Sequence, residues 1–309
     1  MDAADLKIFA TVARCGGMNR AAEQLHTVQS NVTARIRALE ARIGGALFDR
    51  HSRGVSLTAA GRRLLPYADN ILRMLDEAAR AARDDGEPKG TLTLGSLETT
   101  AALRLAPVLS RFVAAFPAVD LVLRTGTTCE LVDEVLARRL EGAFVCGPIE
   151  NAELDAETVF EEELVLLAAP RVTSLRAALG GSDTRMVVLR SGCSYRQRLE
   201  GYLAKRGIQA PRLLEFGTLE AIFQCVAAGL GITLLPRAVV DRMWDKSAVS
   251  VHELPRSEAL VQTLFVRRRD MSASSALLAF LDYARPEPAP RGQILQQRRS
   301  TRMDRNSRV

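Results

Sequence analysis

The chain has 309 residues, 47% hydrophobic and 25% charged, which is the composition of an ordinary soluble globular protein with room for two or three domains. Its net charge of +6 is uneven: residues 1–65 hold 10 Lys and Arg against 5 Asp and Glu, residues 66–285 hold 26 against 29, and residues 286–309 hold 6 against 2. A basic N-terminal module on a slightly acidic body fits nucleic-acid binding. No apolar run is long enough to cross a membrane, Asp2 and Asp5 argue against a secretory signal, and Cys15, Cys129, Cys146, Cys193 and Cys225 form no CxxC pair. Reduced thiols in a cytoplasmic protein are therefore expected.

Residues 1–57 read as short helices followed by a hairpin. "DLKIFATVARCGG" sets Leu6, Phe9, Val12 and Ala13 on one face and stops at Gly16-Gly17. Asn19 is the expected N-cap of "RAAEQL", and Thr27 that of the next helix. In "HTVQSNVTARIRALEARIGG" (26–45), Val28, Val32, Ile36, Leu39 and Ile43 recur at helical spacing and should line a core. "ALFDRHSRGVSLT" has apolar Leu47 and Phe48, a turn at Ser52-Arg53-Gly54, and alternating Val55 and Leu57: a two-stranded wing. Thr58 caps a long helix to about Asp84, and "GEPKG" (86–90) is a linker.

From Thr91 onward strands and helices alternate. "TLTLGS", "VDLVLRTG", "GAFVCGP" and "EELVLLAAP" read as strands around helices "TTAALRLAPVLSRFVAAFP" and "CELVDEVLARRL". The alternation restarts at "RMVVLRSG" and runs through "SYRQRLEGYLAKRG", "RLLEFG", "TLEAIFQCVAAG" and "GITLLP", and "ALVQTLFVRR" and "SSALLAFLDYA" close it. Such alternation means parallel sheets covered by helices, here in two lobes of similar build. Residues 286–309, rich in Pro, Gln and Arg, form a basic tail with too few apolar residues to fold.

Residues 1–285 resemble the LysR-type transcriptional regulators. The resemblance is carried by residues 21–61, through Ala21, Ala22, Leu25, Gln29, Leu39, Glu40, Leu47, Phe48, Arg50, Leu57, Thr58 and Gly61. "GLGITLLP" (229–236) resembles a late motif of the same family, whereas Ser30 stands where the family often has proline. "VQSNVT" with "SGCSYR" is similar to the branch containing putrescine-utilisation regulators. The resemblance implies an α/β protein with an N-terminal all-α winged helix-turn-helix (1–57), a linker helix and hinge (58–89) that pairs two subunits, and a two-lobed effector domain (90–285) like periplasmic binding proteins. Lobe one would comprise about 91–166 plus 264–285, and lobe two about 167–263.

The expected partners are double-stranded DNA at an interrupted palindrome, a small-molecule effector, and further copies of the chain as a homodimer or homotetramer; no cofactor and no metal is expected. On the helix from Gln29, Ser30, Thr33, Ala34 and Arg37 point away from the apolar stripe, with Gln29 and Asn31 beside them at the end that enters a major groove. Gln and Asn suit adenine and Arg suits guanine, at roughly 1–3 kcal/mol of discrimination each. Arg53 at the wing turn is a minor-groove or phosphate candidate, Arg50 either that or a structural ion pair, and Asn19 and Thr27 phosphate contacts.

In open α/β sheets ligands sit beyond the carboxyl ends of strands. The junctions there carry Ser96, Glu98, Thr99 and Thr100, then Thr127 and Thr128, then Ser194, Tyr195 and Arg196, then Gly217 and Thr218, with Gly147 after another strand. Arg196 would hold an acid and Glu98 an amine, and the residues alone do not choose. Two rivals stand beside this reading. A redox switch would use Cys193 and Cys225; a hydrolase would use Ser194 or Cys193, but lacks the G-x-S-x-G spacing and has only His252 outside the N-terminal module as a base.

Overall fold

The computed structural model describes residues 1–51, 54–180, 185–208, 211–243 and 245–285. Ser52 and Arg53 of the wing turn and the tail 286–309 lie outside the described residues. The chain divides into two compact units, Met1–Asp85 with Ala137–Arg139, and Gly86–Leu136 with the chain from Leu140 onward.

The first unit holds α1 (Ala3–Cys15), α2 (Met18–Gln24), α3 (Gln29–Ile43), the hairpin β1 (Phe48–His51) and β2 (Gly54–Leu57), and α4 (Ala59–Ala81). Asp2 and Asp5 close a reciprocal capping box on α1, which ends at left-handed Gly16. Phe9 and Phe48 meet at 5.3 Å in a core with Leu6, Val12, Val32, Ile36 and Leu39. The Glu40 carboxylate accepts the N–H groups of Leu47 and Phe48, at 2.9 and 3.2 Å, so the end of α3 fixes the start of the wing. Arg50 joins that carboxylate at 4.0 Å, which makes it a structural ion pair. Thr58 caps α4 as expected, accepting from the Gly61 N–H at 3.0 Å.

Three local expectations are corrected. The N-cap of α2 is Gly17, which places Asn19 inside the first turn. The N-cap of α3 is Val28 rather than Thr27, because left-handed His26 and the bond from Thr27 N–H to the Ala22 carbonyl close the preceding turn on backbone groups. As a cap, Val28 leaves the apolar stripe and is 64% exposed, and Ile43 at the other end is 43% exposed; only Val32, Ile36 and Leu39 reach the core.

The second unit contains β3 (Gly90–Ser96), a helical run made of α5 (Glu98–Thr100), a π-turn (Ala101–Leu105) and α6 (Ala106–Ala115), then β4 (Val119–Thr125), α7 (Thr128–Leu136), β5 (Gly142–Cys146) and β6 (Leu154–Ala168). There follow α8 (Leu175–Leu179), β7 (Arg185–Leu189), α9 (Ser194–Ala204), β8 (Arg212–Phe216), α10 (Leu219–Ala227), β9 (Thr233–Pro236), α11 (Arg237–Met243), β10 (Ser250–Glu253), α12 (Arg256–Ala259), β11 (Leu260–Arg268) and α13 (Ser275–Ala284). Strands β4, β3 and β5 are parallel, and antiparallel β11 joins β5 to the first part of β6. After Glu163 the same β6 changes neighbours and pairs with β9 and β10, while β7 and β8 run parallel and meet β9 through a Met186–Ile232 bridge. The expected strand "EELVLLAAP" is thus the second half of a strand that begins at Leu154. Phe112, Phe144, Phe265 and Phe280 fill one core, and Leu164–Ala168, Val187, Leu199 and Val226 lie in another.

A side chain at Gly61 has no space: a Cβ there would lie 2.2 Å from the Leu47 carbonyl oxygen and 2.8 Å from Leu57 Cδ2. Gly61→Ala should therefore destabilise the N-terminal unit by about 1–3 kcal/mol, seen in urea unfolding followed by circular dichroism; an unchanged midpoint would contradict this close approach.

Candidate nucleic-acid interface and ligand cleft

The polar face of α3 is open. Gln29, Ser30, Asn31, Ala34 and Arg37 are exposed and Thr33 is half-buried. The Gln29 amide donates to Thr33 Oγ1 at 2.9 Å, and the Asn31 amide donates to Thr27 Oγ1 at 3.0 Å, so both amides are held along the helix surface. The arginines of α3 divide sharply. Arg35 bonds Asp5 at 2.7 Å and Arg42 approaches the same carboxylate at 3.7 Å, whereas Arg37 makes no ion pair among the described residues. Asn19 is exposed on α2. No side chain caps the α3 N-terminus, which leaves its first N–H groups available to phosphate.

In the second unit a cavity of about 130 Å³ opens where the parallel strands end. Leu97, Glu98 and Thr99 follow β3, and Thr125 ends β4 with Gly126 and Thr127 after it. Leu189 ends β7 with Arg190, Cys193 and Tyr195 after it, and Gly217 follows β8. Polar bonds join the two sides. The hydroxyls of Thr99 and Tyr195 are 3.2 Å apart, the Ser194 hydroxyl donates to Thr128 Oγ1 at 2.9 Å, and Arg198 donates to the Gly147 carbonyl at 2.9 Å. Arg190 grips Glu130 with Nε and Nη2, each at 3.0 Å. Thr127 and Glu130 form a capping box on α7, the Thr127 N–H donating to Oε2 at 2.8 Å.

The environments separate the ionisable groups. The Thr127 N–H and Arg190 hold the Glu130 carboxyl below its ordinary range. Burial pushes Glu98 up, opposed by the Arg190 charge and the Leu219 amide. Burial also raises Tyr195 well above its usual value, with the Glu162 charge adding to it, so the phenol is a neutral hydrogen-bonding group. Glu162, on β6, is buried beside Arg104 at 3.5 Å, and both its carboxylate oxygens lack a hydrogen bond among the described residues.

Of the expected cleft residues, Glu98, Thr99, Thr127, Tyr195 and Gly217 line the cavity. Ser96 and Thr100 are fully buried, the first donating to the Leu97 carbonyl and the second with no hydroxyl partner among the described residues. Thr128 and Ser194 are spent on each other, Gly147 on Arg198, and Thr218 on capping α10. Arg196 is the main correction. It turns outward to Glu200 at 3.0 Å and Glu215 at 2.7 Å, because the i,i+4 pair on α9 and a glutamate on β8 hold it there. The cation at the cavity is Arg190, which sequence reasoning missed although it ends the strand "RMVVLR". Glu130 was missed too; its signal is the T-x-x-E pattern of Thr127 and Glu130.

The structure thus combines a winged helix-turn-helix with an α/β unit whose cavity opens at strand ends, the class of protein that couples a DNA-reading module to a ligand-binding one. The chain belongs to the lysR family of bacterial regulatory helix-turn-helix proteins: that family's helix-turn-helix description matches residues 3–62, and the LysR substrate binding domain matches residues 85–289. Among curated relatives, the uncharacterized HTH-type transcriptional regulator YusT of Bacillus subtilis is 44% identical over 286 residues, covering 93% of this chain and 96% of its own. The HTH-type transcriptional regulator GltR of Bacillus subtilis is 41% identical over 280 residues, covering 91% and 95%. Full-length OxyR from Pseudomonas aeruginosa shares the fold with a TM-score of 0.66 at 20% identity, covering 92% of this chain and 94% of that one. Full-length CbnR complexed with its target DNA does so with a TM-score of 0.63 at 24% identity, covering 92% and 99%. No helix among the described residues is long and apolar enough to cross a membrane.

The raised Glu162 carboxyl has a signed consequence. The native chain holds this proton more tightly than the unfolded chain, so the stabilisation is complete below the ordinary carboxylate range, near pH 4, and is lost as pH rises through the raised value. The stability of the wild type relative to Glu162→Gln should accordingly fall as pH rises above about 4, as read by urea unfolding of the chain across a pH series. A difference that stays constant with pH would show that burial does not govern this group.

Proposed function

We propose that the chain is a cytoplasmic, sequence-specific DNA-binding transcriptional regulator whose activity responds to a small molecule held in the cleft of residues 90–285. The observation that carries the reading is the open face of α3, where Arg37, without an ion pair among the described residues, and the pre-positioned amides of Gln29 and Asn31 stand on a helix anchored by its other two arginines. Gln29 and Asn31 present paired donor and acceptor groups to adenine, and Arg37 presents its fork to guanine. Ser30 and Thr33 reach bases or phosphates, while Asn19 and Thr27 hold the backbone. YusT and GltR are named as HTH-type transcriptional regulators, and similarity over nine-tenths of this chain supports the same role here.

Residues 1–57 read DNA, 58–89 pair subunits and provide a hinge, and 90–285 hold the effector between a lobe of 91–166 with 264–285 and a lobe of 167–263. Pairing is supported by α4, on which Tyr67, Ile71, Met74 and Leu75 are exposed at helical spacing. Two paired copies bring two α3 helices to the halves of an interrupted palindrome. Ligand closure of the cleft then biases a pre-existing equilibrium between subunit arrangements.

The rival chemistries find little support. Ser194 is bonded to Thr128, and the His252 ring is engaged with Ser250 at 2.9 Å. Cys193 and Cys225 are free thiols, and burial pushes Cys193 up, away from the reactive thiolate that a redox switch requires.

Selection from a randomised duplex pool should enrich an interrupted palindrome, and Gln29→Ala and Arg37→Ala should each weaken that site by roughly 1–3 kcal/mol with melting unchanged. Binding of both variants as tight as wild type would place the DNA contact elsewhere. Replacing Ile71 and Leu75 together by glutamate should yield monomers in sedimentation velocity and abolish the preference for two half-sites over one; intact oligomers would remove α4 from the pairing surface.

A further inference from the structure

The choice between an acid and an amine narrows once the charges around the cavity are traced. Arg196 is turned away. Arg190 is the one cation in the cavity wall among the described residues, and Glu130 already occupies both its Nε and its Nη2. That same carboxylate takes the Thr127 N–H at the start of α7. An acid seeking the paired Nε–Nη2 edge of the guanidinium would have to evict Glu130 from it and from the helix end together, and would otherwise find only the outer donors of Arg190. The start of α10 is served in the same way, by the Thr218 hydroxyl and by the Leu219 amide turned toward Glu98. The protein's own groups therefore hold the two-donor edge of Arg190 and both helix starts, which leaves a carboxylate only the outer donors of Arg190 as a secondary contact.

Glu98 is left over. It lines the cavity, forms no salt bridge among the described residues, and remains accessible from solvent. Deeper in, Glu162 is matched by Arg104 as a pair, so it does not alter the balance. With both carboxylates ionised, Glu98, Glu130 and Arg190 carry one uncompensated negative charge, and the partial loss of solvent around Glu98 disfavours it there until a cation meets it. Around it, Leu97 and Leu189 offer apolar wall, and the Thr99 and Tyr195 hydroxyls offer acceptors for further N–H groups. The π-turn that begins three residues after Glu98 is a local irregularity of the kind found at functional sites.

We propose that the effector carries a protonated amine and that Glu98 is the group that receives it, on the reading of this cavity as the effector site. The cavity of about 130 Å³ admits a small molecule, a short amine or an amino acid. In an amino acid the carboxylate would lie toward the remaining donors of Arg190.

The test is calorimetric titration of the full chain with matched sets: short alkylamines and diamines, α-amino acids, and carboxylates of the same carbon number without nitrogen. Wild type is compared with Glu98→Gln, which keeps the shape and removes the charge, and with Arg190→Ala. Expected is binding within the amine-bearing sets alone, weakened at least tenfold by Glu98→Gln. Weakening by Arg190→Ala as well identifies an amino acid, and indifference to Arg190→Ala identifies a simple amine. Carboxylates that bind without nitrogen, lose affinity in Arg190→Ala and keep it in Glu98→Gln would overturn the amine while leaving the cleft as the effector site. Failure of every set to bind would overturn both.

Discussion

The larger unit depends on the double employment of β6. One strand of 15 residues, about three times the usual length, serves two sheets in turn, with β11 beside its first part and β9 and β10 beside its second. Its two halves differ accordingly. Asp155–Glu161 is largely polar and open, whereas Leu164–Ala168, flanked on both edges and covered by helices, is fully buried. Because the chain crosses between the sheets on ordered strands, the carboxyl ends of β3 and β4 are held facing those of β7 and β8, and the cavity is what lies between. The ladder of β11 shifts register between Thr263 and Leu264, near the crossing, where a local irregularity lets the strand bend without breaking either sheet.

Polarity in the cleft follows from that geometry. Strand ends and helix starts bring backbone N–H groups inward, and the chain answers with its own hydroxyls and carboxylates: Thr218 on α10, the Thr127–Glu130 box on α7, and Ser194 on Thr128 across the gap. Each bond across the gap is one that opening must break, so closure is stabilised by several modest contacts rather than one strong one. Such a surface can be biased by a ligand whose contacts differ between open and closed arrangements.

Much of this was legible in the residues. The strand and helix alternation, the wing, the Thr58 cap and the cluster at strand ends all appear where periodicity and turn chemistry place them, and the dense pattern of residues 21–61 carried the family resemblance. The misses share a physical cause. Val28 counts as one more apolar residue on a helical wheel, yet backbone bonds from the preceding turn make it a cap, and a cap points outward. Arg196 and Arg190 stand at the same junction; the direction of each is decided by its nearest carboxylate, Glu200 and Glu215 for one and Glu130 for the other. Only Glu200 is a neighbour in sequence, so only that pair could have been read in advance. The first half of β6, "LDAETVFEEE", is too polar to announce a strand, and pairing with β11 makes it one.

In such a regulator ligand and DNA are coupled through one chain. The most direct measurement is a thermodynamic cycle: affinity for the selected duplex with and without saturating ligand, and affinity for the ligand with and without duplex. Coupled sites should show a change in DNA affinity matched by an equal factor in ligand affinity, as linkage requires. Two affinities that ignore each other would contradict it, leaving a DNA-binding module and a ligand-binding module that share a chain without sharing a function.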